Sequence, residues 1–243
     1  MEYVTEEEIE AGKAKGDKPK HPVPYYSIIL IICIVVVSFV QIATDLNRSI
    51  EIAGFDKPLF QNGQYWRILT SAVLHGGLVH IAFNSYALFV LGRLIEILSN
   101  RAHLANVFFL SVIGGGLMSF LLGPDVPSVG ASGGVIGFLG YLTVYGYKRR
   151  EILTNSFLKN MLFNVGFIAV FGLFIVPNVD NFAHLGGFLV GAVYGLLQIP
   201  ADLHQDPRVV SAFEKNLGIA TLAIFLLTSI FTILLLTRTL VFS

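Results

Sequence analysis

The sequence PVPYYSIILIICIVVVSFVQIAT, residues 22–44, runs from end to end without a charged side chain. A helix that crosses the hydrocarbon core of a bilayer needs about 20 residues, so this stretch is long enough for one crossing. Because that core contains no water to satisfy backbone N–H and C=O groups, a helix is the expected conformation. The stretch therefore predicts a transmembrane helix.

The rest of the chain contains six more stretches of the same kind. Each is bounded by charged residues and is long enough for one membrane crossing. These stretches are Ile68–Gly92, Ala102–Pro124, Val126–Tyr147, Asn160–Val179, Asn181–Ala201 and Asn216–Thr237. None of them alternates polar and apolar residues as a transmembrane β-strand does over about 10 residues. The sequence predicts an all-α fold, a polytopic membrane bundle of seven helices.

The composition excludes several classes of protein. Hydrophobic residues make up 54% of the chain and charged residues 13%, whereas an ordinary soluble domain carries about 25% charged residues. The 16 basic and 16 acidic residues balance, so no basic surface for nucleic acid is expected. The single cysteine, Cys33, cannot form an internal disulfide, and no Cys/His spacing indicates zinc. We expect a protein of the lipid bilayer that needs neither a metal nor a cofactor.

The basic residues predict how the chain is oriented. Twelve of the 16 Lys and Arg residues precede the first stretch or lie in the loops after the second, fourth and sixth. By the positive-inside rule, the N-terminus is cytoplasmic, and seven crossings place the C-terminus outside. Residues 1–24 are expected to be a short cytoplasmic tail and not a signal or transit peptide. Residues 45–67 are too long for a plain turn and are expected to fold on the outer membrane surface. We expect the protein to be in a bacterial plasma membrane.

Four polar side chains lie where lipid should exclude them. His80 and Asn84 are four residues apart in the second stretch and so share one helical face. Ser132 lies near the start of the fourth stretch, and His184 near the start of the sixth. Any one of them alone is best explained as an interhelical hydrogen bond. Four at the same depth, just below the outer surface, favour a shared site.

Glycines predict that the fourth and sixth helices approach closely. Small residues at every fourth position let helix backbones pack together in a membrane. The glycines with this spacing are Gly133 and Gly137 in the fourth stretch, and Gly187, Gly191 and Gly195 in the sixth. Gly187 is three residues after His184 and continues its face. A close crossing would bring Ser132 within hydrogen-bond distance of His184.

A serine beside a histidine is a candidate nucleophile with its general base. The imidazole can take the hydroxyl proton and return it later, because its ordinary pKa is near 6.5. An oxyanion hole could then come from the Ser132 N–H at a helix N-terminus and from the side chains of His80 and Asn84. These four residues are enough to supply a nucleophile, a base and oxyanion donors.

The same residues resemble those of a known family. The motifs are Trp66-Arg67, His75…His80…Asn84, Gly130-Ala-Ser132-Gly and Ala183-His184-Leu-Gly-Gly. In this order, over roughly residues 25–200, they resemble the rhomboid family of intramembrane serine proteases. The resemblance implies a catalytic dyad of Ser132 and His184 without an aspartate, and an oxyanion hole of His80, Asn84 and the Ser132 amide. It implies a six-helix catalytic core over residues 25–200, so residues 201–243 form a cytoplasmic linker and an added seventh helix.

The resemblance has further implications. Trp66-Arg67 would belong to a membrane-embedded loop, and Arg93-x-x-Glu96 would form a structural pair on the inner side. Ile136 replaces a tyrosine that stacks on the catalytic histidine in many members. A stripe of Phe167, Phe171 and Phe174 would be packing, lipid contact or a side gate for substrate. The expected partners are single-span membrane protein substrates and the bilayer, and no nucleic acid is expected.

Two other functions are compatible with the same residues. A non-catalytic rhomboid-like protein would bind membrane helices without cutting them, although the intact Ser132 and His184 favour catalysis. A small transporter could use His80 and His184 as a proton relay. That alternative leaves Ser132 unexplained, and the chain shows no internal repeat of the transporter kind.

Overall fold

The computed structural model describes residues 23–174 and 179–238. Nearly all of the predicted tail, residues 1–24, lies outside these residues. The described part of the chain contains ten α-helices and one short 3-10 helix. Its strand-like pairing is limited to an isolated antiparallel bridge between Phe55 and Ser128. The predicted all-α fold is confirmed.

Seven long helices correspond one to one to the seven predicted stretches. They are α1 (Tyr25–Thr44), α5 (Leu78–Leu98), α6 (Arg101–Leu122), α7 (Ser132–Lys148), α8 (Asn155–Phe174), α9 (Asn181–Gln198) and α10 (Ala212–Leu236). The short helices α2 (Leu46–Ala53), α3 (Lys57–Gln61) and α4 (Arg67–Thr70), with the 3-10 turn Ser71–Val73, lie between α1 and α5. By length and composition, α1, α5, α6 and α10 can cross a membrane. The fold is a membrane helical bundle.

Two helices begin later than the sequence predicts. The second stretch starts at Ile68, but α5 starts at Leu78, after α4, the 3-10 turn and an irregular segment. The fourth stretch starts at Val126, but α7 starts at Ser132. In both cases glycine with positive φ ends the irregular segment, Gly77 at 139° and Gly130 at 129°. The charge boundaries miss this because uncharged loop residues extend a hydropathic stretch as readily as helical ones do.

Glycines on two sides allow α9 to lie against both α6 and α7. A Cβ atom at Gly187 would collide with the carbonyl oxygen of Gly133, and one at Gly191 with that of Gly137. On the other side of α9, a Cβ at Gly186 would overlap the carbonyl oxygen of Gly114 in α6. Backbone therefore packs directly on backbone along both contacts, as small residues permit in membrane proteins. The close crossing of α7 and α9 expected from the glycine spacing is observed, and we call it the α7–α9 seam.

The seventh long helix, α10, packs mainly against α6 and α1. Its N-terminus has a capping box in which Ser211 and Glu214 bond each other's backbone N–H groups. The buried amide of Asn106 in α6 donates to the carbonyl of Glu214 at 3.2 Å and accepts from the hydroxyl of Thr221 at 3.3 Å. Further along, the ring of Phe231 contacts Trp66 at 5.5 Å between centroids. The helix is thus joined to the core by polar and aromatic contacts.

We call the end of the bundle where α5, α7 and α9 begin the Ser132 end. At the opposite end, the carboxylate of Glu96 accepts hydrogen bonds from the Ser27 backbone N–H at 2.8 Å and the Ser27 hydroxyl at 2.7 Å. A carboxylate at this place satisfies free N–H groups in the first turn of α1 and complements its dipole. Within the described residues Glu96 forms no ion pair with Arg93, so the expected Arg93–Glu96 pair is replaced by a helix cap.

Candidate active site

Ser132 begins α7 immediately after a turn that only glycine forms easily. Gly130 has a φ of 129°, which a residue with a side chain rarely adopts. The N–H of Gly130 donates to the carbonyl of Ser71 at 2.9 Å, which ties this turn to the 3-10 segment before α5. Ser132 is consequently held at a helix N-terminus, where backbone N–H groups are free of intrahelical partners.

His184 lies in the first turn of α9 and faces Ser132. Its Nε2 atom is 2.9 Å from the Ser132 hydroxyl oxygen, within hydrogen-bond distance. Both residues are half-buried. The glycines of the α7–α9 seam begin directly below them, and a side chain at Gly187 or Gly191 would force the two helices apart. The contact between the hydroxyl and the imidazole therefore depends on the absence of side chains deeper in the bundle.

His80 reaches the same place from α5. A Cβ atom added to Gly130 would lie 2.9 Å from the His80 Nε2 atom and 3.7 Å from the Ser132 hydroxyl oxygen. The two side chains thus converge on the surface of one glycine. The other ring nitrogen of His80, Nδ1, accepts a hydrogen bond from the backbone N–H of Gly76 at 3.3 Å. The structure brings Ser132, His184 and His80 together from three helices.

Asn84 lies one turn after His80 on the same face of α5. Its side chain is buried, with 6% exposure. One amide hydrogen is directed to the carbonyl oxygen of His80 at 3.1 Å. The side chain is therefore attached to its own helix beside the three converging residues, and the second amide hydrogen is the one that could serve a bound group.

Asp180, which sequence inspection did not select, fixes the start of the helix that carries His184. One carboxylate oxygen accepts from the backbone N–H of Ala183 at 2.9 Å, an N-cap bond, and the other accepts from the hydroxyl of Ser119 in α6. An Asp directly before an apolar helix is a recognisable N-cap signal. Its bond to Ser119 leaves no trace in the sequence.

Trp66 and Arg67 hold the connection between α1 and α5 in shape. Arg67 is buried, and its guanidinium donates to the carbonyl oxygens of Gly54 at 2.8 Å and Glu51 at 3.1 Å. The guanidinium carbon lies 4.9 Å from the centroid of the Trp66 ring, a cation–π contact. These contacts join short helices and loop segments, and not Ser132 or His184. They therefore indicate a structural role for Trp66 and Arg67.

Three other expectations concern Ile136, the phenylalanine stripe and metal ligands. Ile136, one turn after Ser132, is buried with 7% exposure. Phe167 is exposed and stacks on Phe163 at 6.3 Å between centroids. The side chains of Phe171 and Phe174 lie outside the described residues. In the part of the chain that is described, no three His, Cys, Asp or Glu side chains are grouped to hold a metal ion.

The part of the chain that contains these residues is similar to known proteins. A family model of the rhomboid domain matches residues 62–201. This segment includes α4 through α9, and with them Ser132, His184, His80 and Asn84. It leaves out α1, α2, α3 and α10.

Curated relatives agree with the family match. The chain is 32% identical over 149 residues to a Bacillus subtilis protein named rhomboid protease GluP, covering 61% of this chain and 29% of that protein. It is 30% identical over 172 residues to RHOMBOID-like protein 5 of Arabidopsis thaliana, covering 66% and 53%. It is 33% identical over 138 residues to an Arabidopsis protein named inactive RHOMBOID-like protein 8, covering 55% and 38%. The chain spans between 29% and 53% of the length of these relatives.

Proposed function

The chain belongs to the rhomboid family, and on this basis we propose that it is an intramembrane serine endopeptidase that cleaves the transmembrane segments of other proteins. One observation carries the proposal: the Ser132 hydroxyl oxygen lies 2.9 Å from the His184 Nε2 atom at one end of a membrane helical bundle. A nucleophile within hydrogen-bond distance of its base is the arrangement that covalent catalysis by serine requires.

In this mechanism His184 removes the Ser132 proton while the serine oxygen attacks the carbonyl carbon of the scissile peptide bond. His184 then protonates the departing amine, which leaves an acyl-enzyme. Water, activated by the same imidazole, hydrolyses the ester and regenerates Ser132. Because a Ser–His pair performs both transfers, the mechanism needs no metal or cofactor.

The negative charge of each tetrahedral intermediate requires hydrogen-bond donors. The backbone N–H of Ser132 lies at the start of α7, where the helix dipole also favours an anion. The side chain of His80 shares the surface of Gly130 with Ser132, and Asn84 has a second amide hydrogen one turn further along α5. Together they form the proposed oxyanion hole.

The substrate follows from the depth of the site. A helical segment hides its carbonyl groups in its own hydrogen bonds, so a substrate must enter from the bilayer and unwind locally before Ser132 can attack. We expect single-span membrane proteins cut after a small residue, near helix-weakening residues and close to the outer face. For the protein itself, we propose a cytoplasmic N-terminus and an external C-terminus in a bacterial plasma membrane. Residues 25–200 would form the catalytic core.

The decisive experiment compares the wild-type protein with Ser132→Ala and His184→Ala in liposomes that contain a single-span substrate. We expect cleavage by the wild type and none by either variant, with both variants folded. A fluorophosphonate probe should label the wild type and not Ser132→Ala. Cleavage that persists in Ser132→Ala would contradict the assignment.

A non-catalytic function is the second candidate, because one of the relatives is named inactive. In that case the bundle would bind membrane helices without cutting them. The probe separates the two functions, since a bundle that only binds helices would leave Ser132 unlabelled.

A further inference from the structure

A segment of α1 that lies outside the matched residues 62–201 is bonded to the loop before His80. The side chain of Gln41 forms hydrogen bonds with both the N–H and the carbonyl group of His75. Its amide oxygen accepts from the His75 N–H at 2.9 Å, and its amide nitrogen donates to the His75 carbonyl at 3.4 Å. The same nitrogen donates to the Ser49 hydroxyl at 2.8 Å. Gln41 is fully buried, so these bonds are made without competition from water.

Ser38, one turn earlier on α1, holds the side chain of the same residue. Its hydroxyl lies 3.1 Å from the Nδ1 atom of His75. His75 is buried with 1% exposure, and its ring meets that of His80 at 5.2 Å between centroids and an angle of 72°. The backbone and the ring of His75 are thus both fixed by α1.

The next residue of this loop, Gly76, determines which ring nitrogen of His80 carries the proton. The backbone N–H of Gly76 donates to the Nδ1 atom of His80 at 3.3 Å. A nitrogen that accepts this bond has no proton of its own, so the proton of the neutral ring is on Nε2. Nε2 is the atom on the side of Gly130 and Ser132. The opposite tautomer would present a lone pair to an oxyanion and would repel it.

We propose that Gln41 and Ser38 are positioning residues, which hold the loop at His75 and Gly76 so that His80 carries its proton on Nε2, directed at the site of the oxyanion. This inference rests on the proposed function, because an oxyanion gives the Nε2 proton its role. It assigns a part in the reaction to α1, which lies outside the matched residues 62–201. Gln41 and Ser38 act through the backbone and ring of His75.

The tautomer can be measured without any protease assay. In protein labelled with ¹⁵N-histidine, the nitrogen spectrum at mildly alkaline pH distinguishes a protonated ring nitrogen from a bare one, and His80→Ala assigns the His80 signals. We expect Nε2 protonated and Nδ1 bare in the wild type. In Gln41→Met, which keeps the length of the side chain and removes its three hydrogen bonds, the signals of the two His80 nitrogens should move towards averaged positions. A wild-type His80 protonated on Nδ1 would overturn the inference.

Kinetics provide the second measurement. We expect kcat to fall about tenfold in Gln41→Met and less in Ser38→Ala, with KM unchanged, since loss of an entire oxyanion donor costs about 100- to 1,000-fold. The matched control is Ser27→Ala, which removes a buried, hydrogen-bonded serine of the same helix at the opposite end. If Gln41→Met and Ser38→Ala unfold at lower temperature but keep the wild-type His80 spectrum and kcat, the two residues are structural only and the inference is wrong.

The two proposals fail in different ways. A protein that cleaves nothing, with or without Ser132, contradicts the protease assignment whatever the spectrum shows. A protein that cleaves by means of Ser132, but whose His80 tautomer and kcat do not respond to Gln41→Met, contradicts the role of α1 alone.

Discussion

Ser132 and His184 are 52 positions apart in the chain, yet the serine oxygen and the imidazole nitrogen are 2.9 Å from each other. Neither residue bears a formal charge in the resting state of the proposed mechanism, so the pair can lie at membrane depth without the large desolvation cost of a buried ion pair. At this scale the proposed chemistry depends on small displacements of single atoms, because oxyanion donors act only at about 2.7–3.1 Å.

Asn84 gives a prediction at the same scale. In Asn84→Ala we expect kcat to fall about 100-fold, or about 3 kcal/mol, with little change in KM, because the donor acts on charge that develops only in the transition state. Substrate cleavage in liposomes measures both constants. A rise in KM with an unchanged kcat would contradict the oxyanion role.

Asn164 offers a matched control for this substitution. Its side-chain amide donates to the carbonyl of Asn160, four residues earlier in α8, at 2.9 Å. Asn84 makes the same bond to His80 in α5. Asn164→Ala therefore removes an equivalent local bond from a helix that carries none of the four site residues, and it should leave kcat at the wild-type value.

The sequence identifies the candidate residues better than it identifies what holds them. The spacing of His80 and Asn84 indicates a shared helix face because four residues are close to one helical turn. The bonds from Gly130 to Ser71 and from Ser119 to Asp180 join residues that no periodicity relates. Such bonds depend on how whole helices are placed, and that information is not local to any segment.

Single helices are the scale at which the α7–α9 seam can be tested. In Gly191→Ala the new Cβ atom would overlap the carbonyl oxygen of Gly137, so the helices must separate. We expect a loss of about 1–3 kcal/mol in stability, the usual cost of overpacking, and a greater loss of cleavage, because Ser132 and His184 move apart. Thermal unfolding in detergent and cleavage in liposomes measure the two effects.

Gly166→Ala in α8 is the control for the seam, since a Cβ atom there has nothing within 4 Å. It makes the same chemical change and should leave cleavage unaltered, with stability equal to or slightly above that of the wild type. Equal behaviour of the two variants would show that the seam does not determine the distance between the hydroxyl and the imidazole.

Helix starts were predicted poorly where uncharged loop residues lie between a charged residue and the helix. The start of α1 follows Pro24 closely, as the first stretch indicates. The starts of α5 and α7 were misplaced, because Leu74–Gly77 and Val126–Ala131 are as uncharged as the helices they precede. Their backbone polar groups are satisfied by tertiary bonds, such as that between Gly130 and Ser71, and hydropathy does not register those bonds.

The whole molecule includes α10, which lies outside the matched family segment but packs on α6 and α1. A chain that ends at Val210 would leave the Asn106 amide without the Glu214 and Thr221 partners and Trp66 without Phe231. The amide would keep only its bond to the Tyr194 hydroxyl at 3.1 Å, and buried polar atoms without a partner cost free energy. We therefore expect the shortened chain to unfold at a clearly lower temperature in detergent.

The control is to co-express residues 211–243 as a second polypeptide with the shortened chain, because helices that insert independently can associate in the bilayer. We expect the added helix to restore the unfolding temperature at least in part. A shortened chain as stable as the full one would mean that α10 is only attached to the bundle and does not support it.

At this scale, hydropathy predicted the number of long helices but not their neighbours. An apolar helix such as α10 has several faces that could meet a core or the lipid, so its place beside α1 and α6 was not predicted. The orientation derived from the basic residues remains a prediction.

The seam between α7 and α9 has a mechanical consequence. No side chain lies between the two backbones along this seam, so none can change its rotamer to make room. The two helices therefore cannot slide past each other without carbonyl oxygens overlapping the opposite helix. When the thickness of the bilayer changes, the bundle must adapt by tilting as a unit or by moving its peripheral helices. The spacing between the hydroxyl and the imidazole is thereby insulated from the composition of the lipid that surrounds the protein.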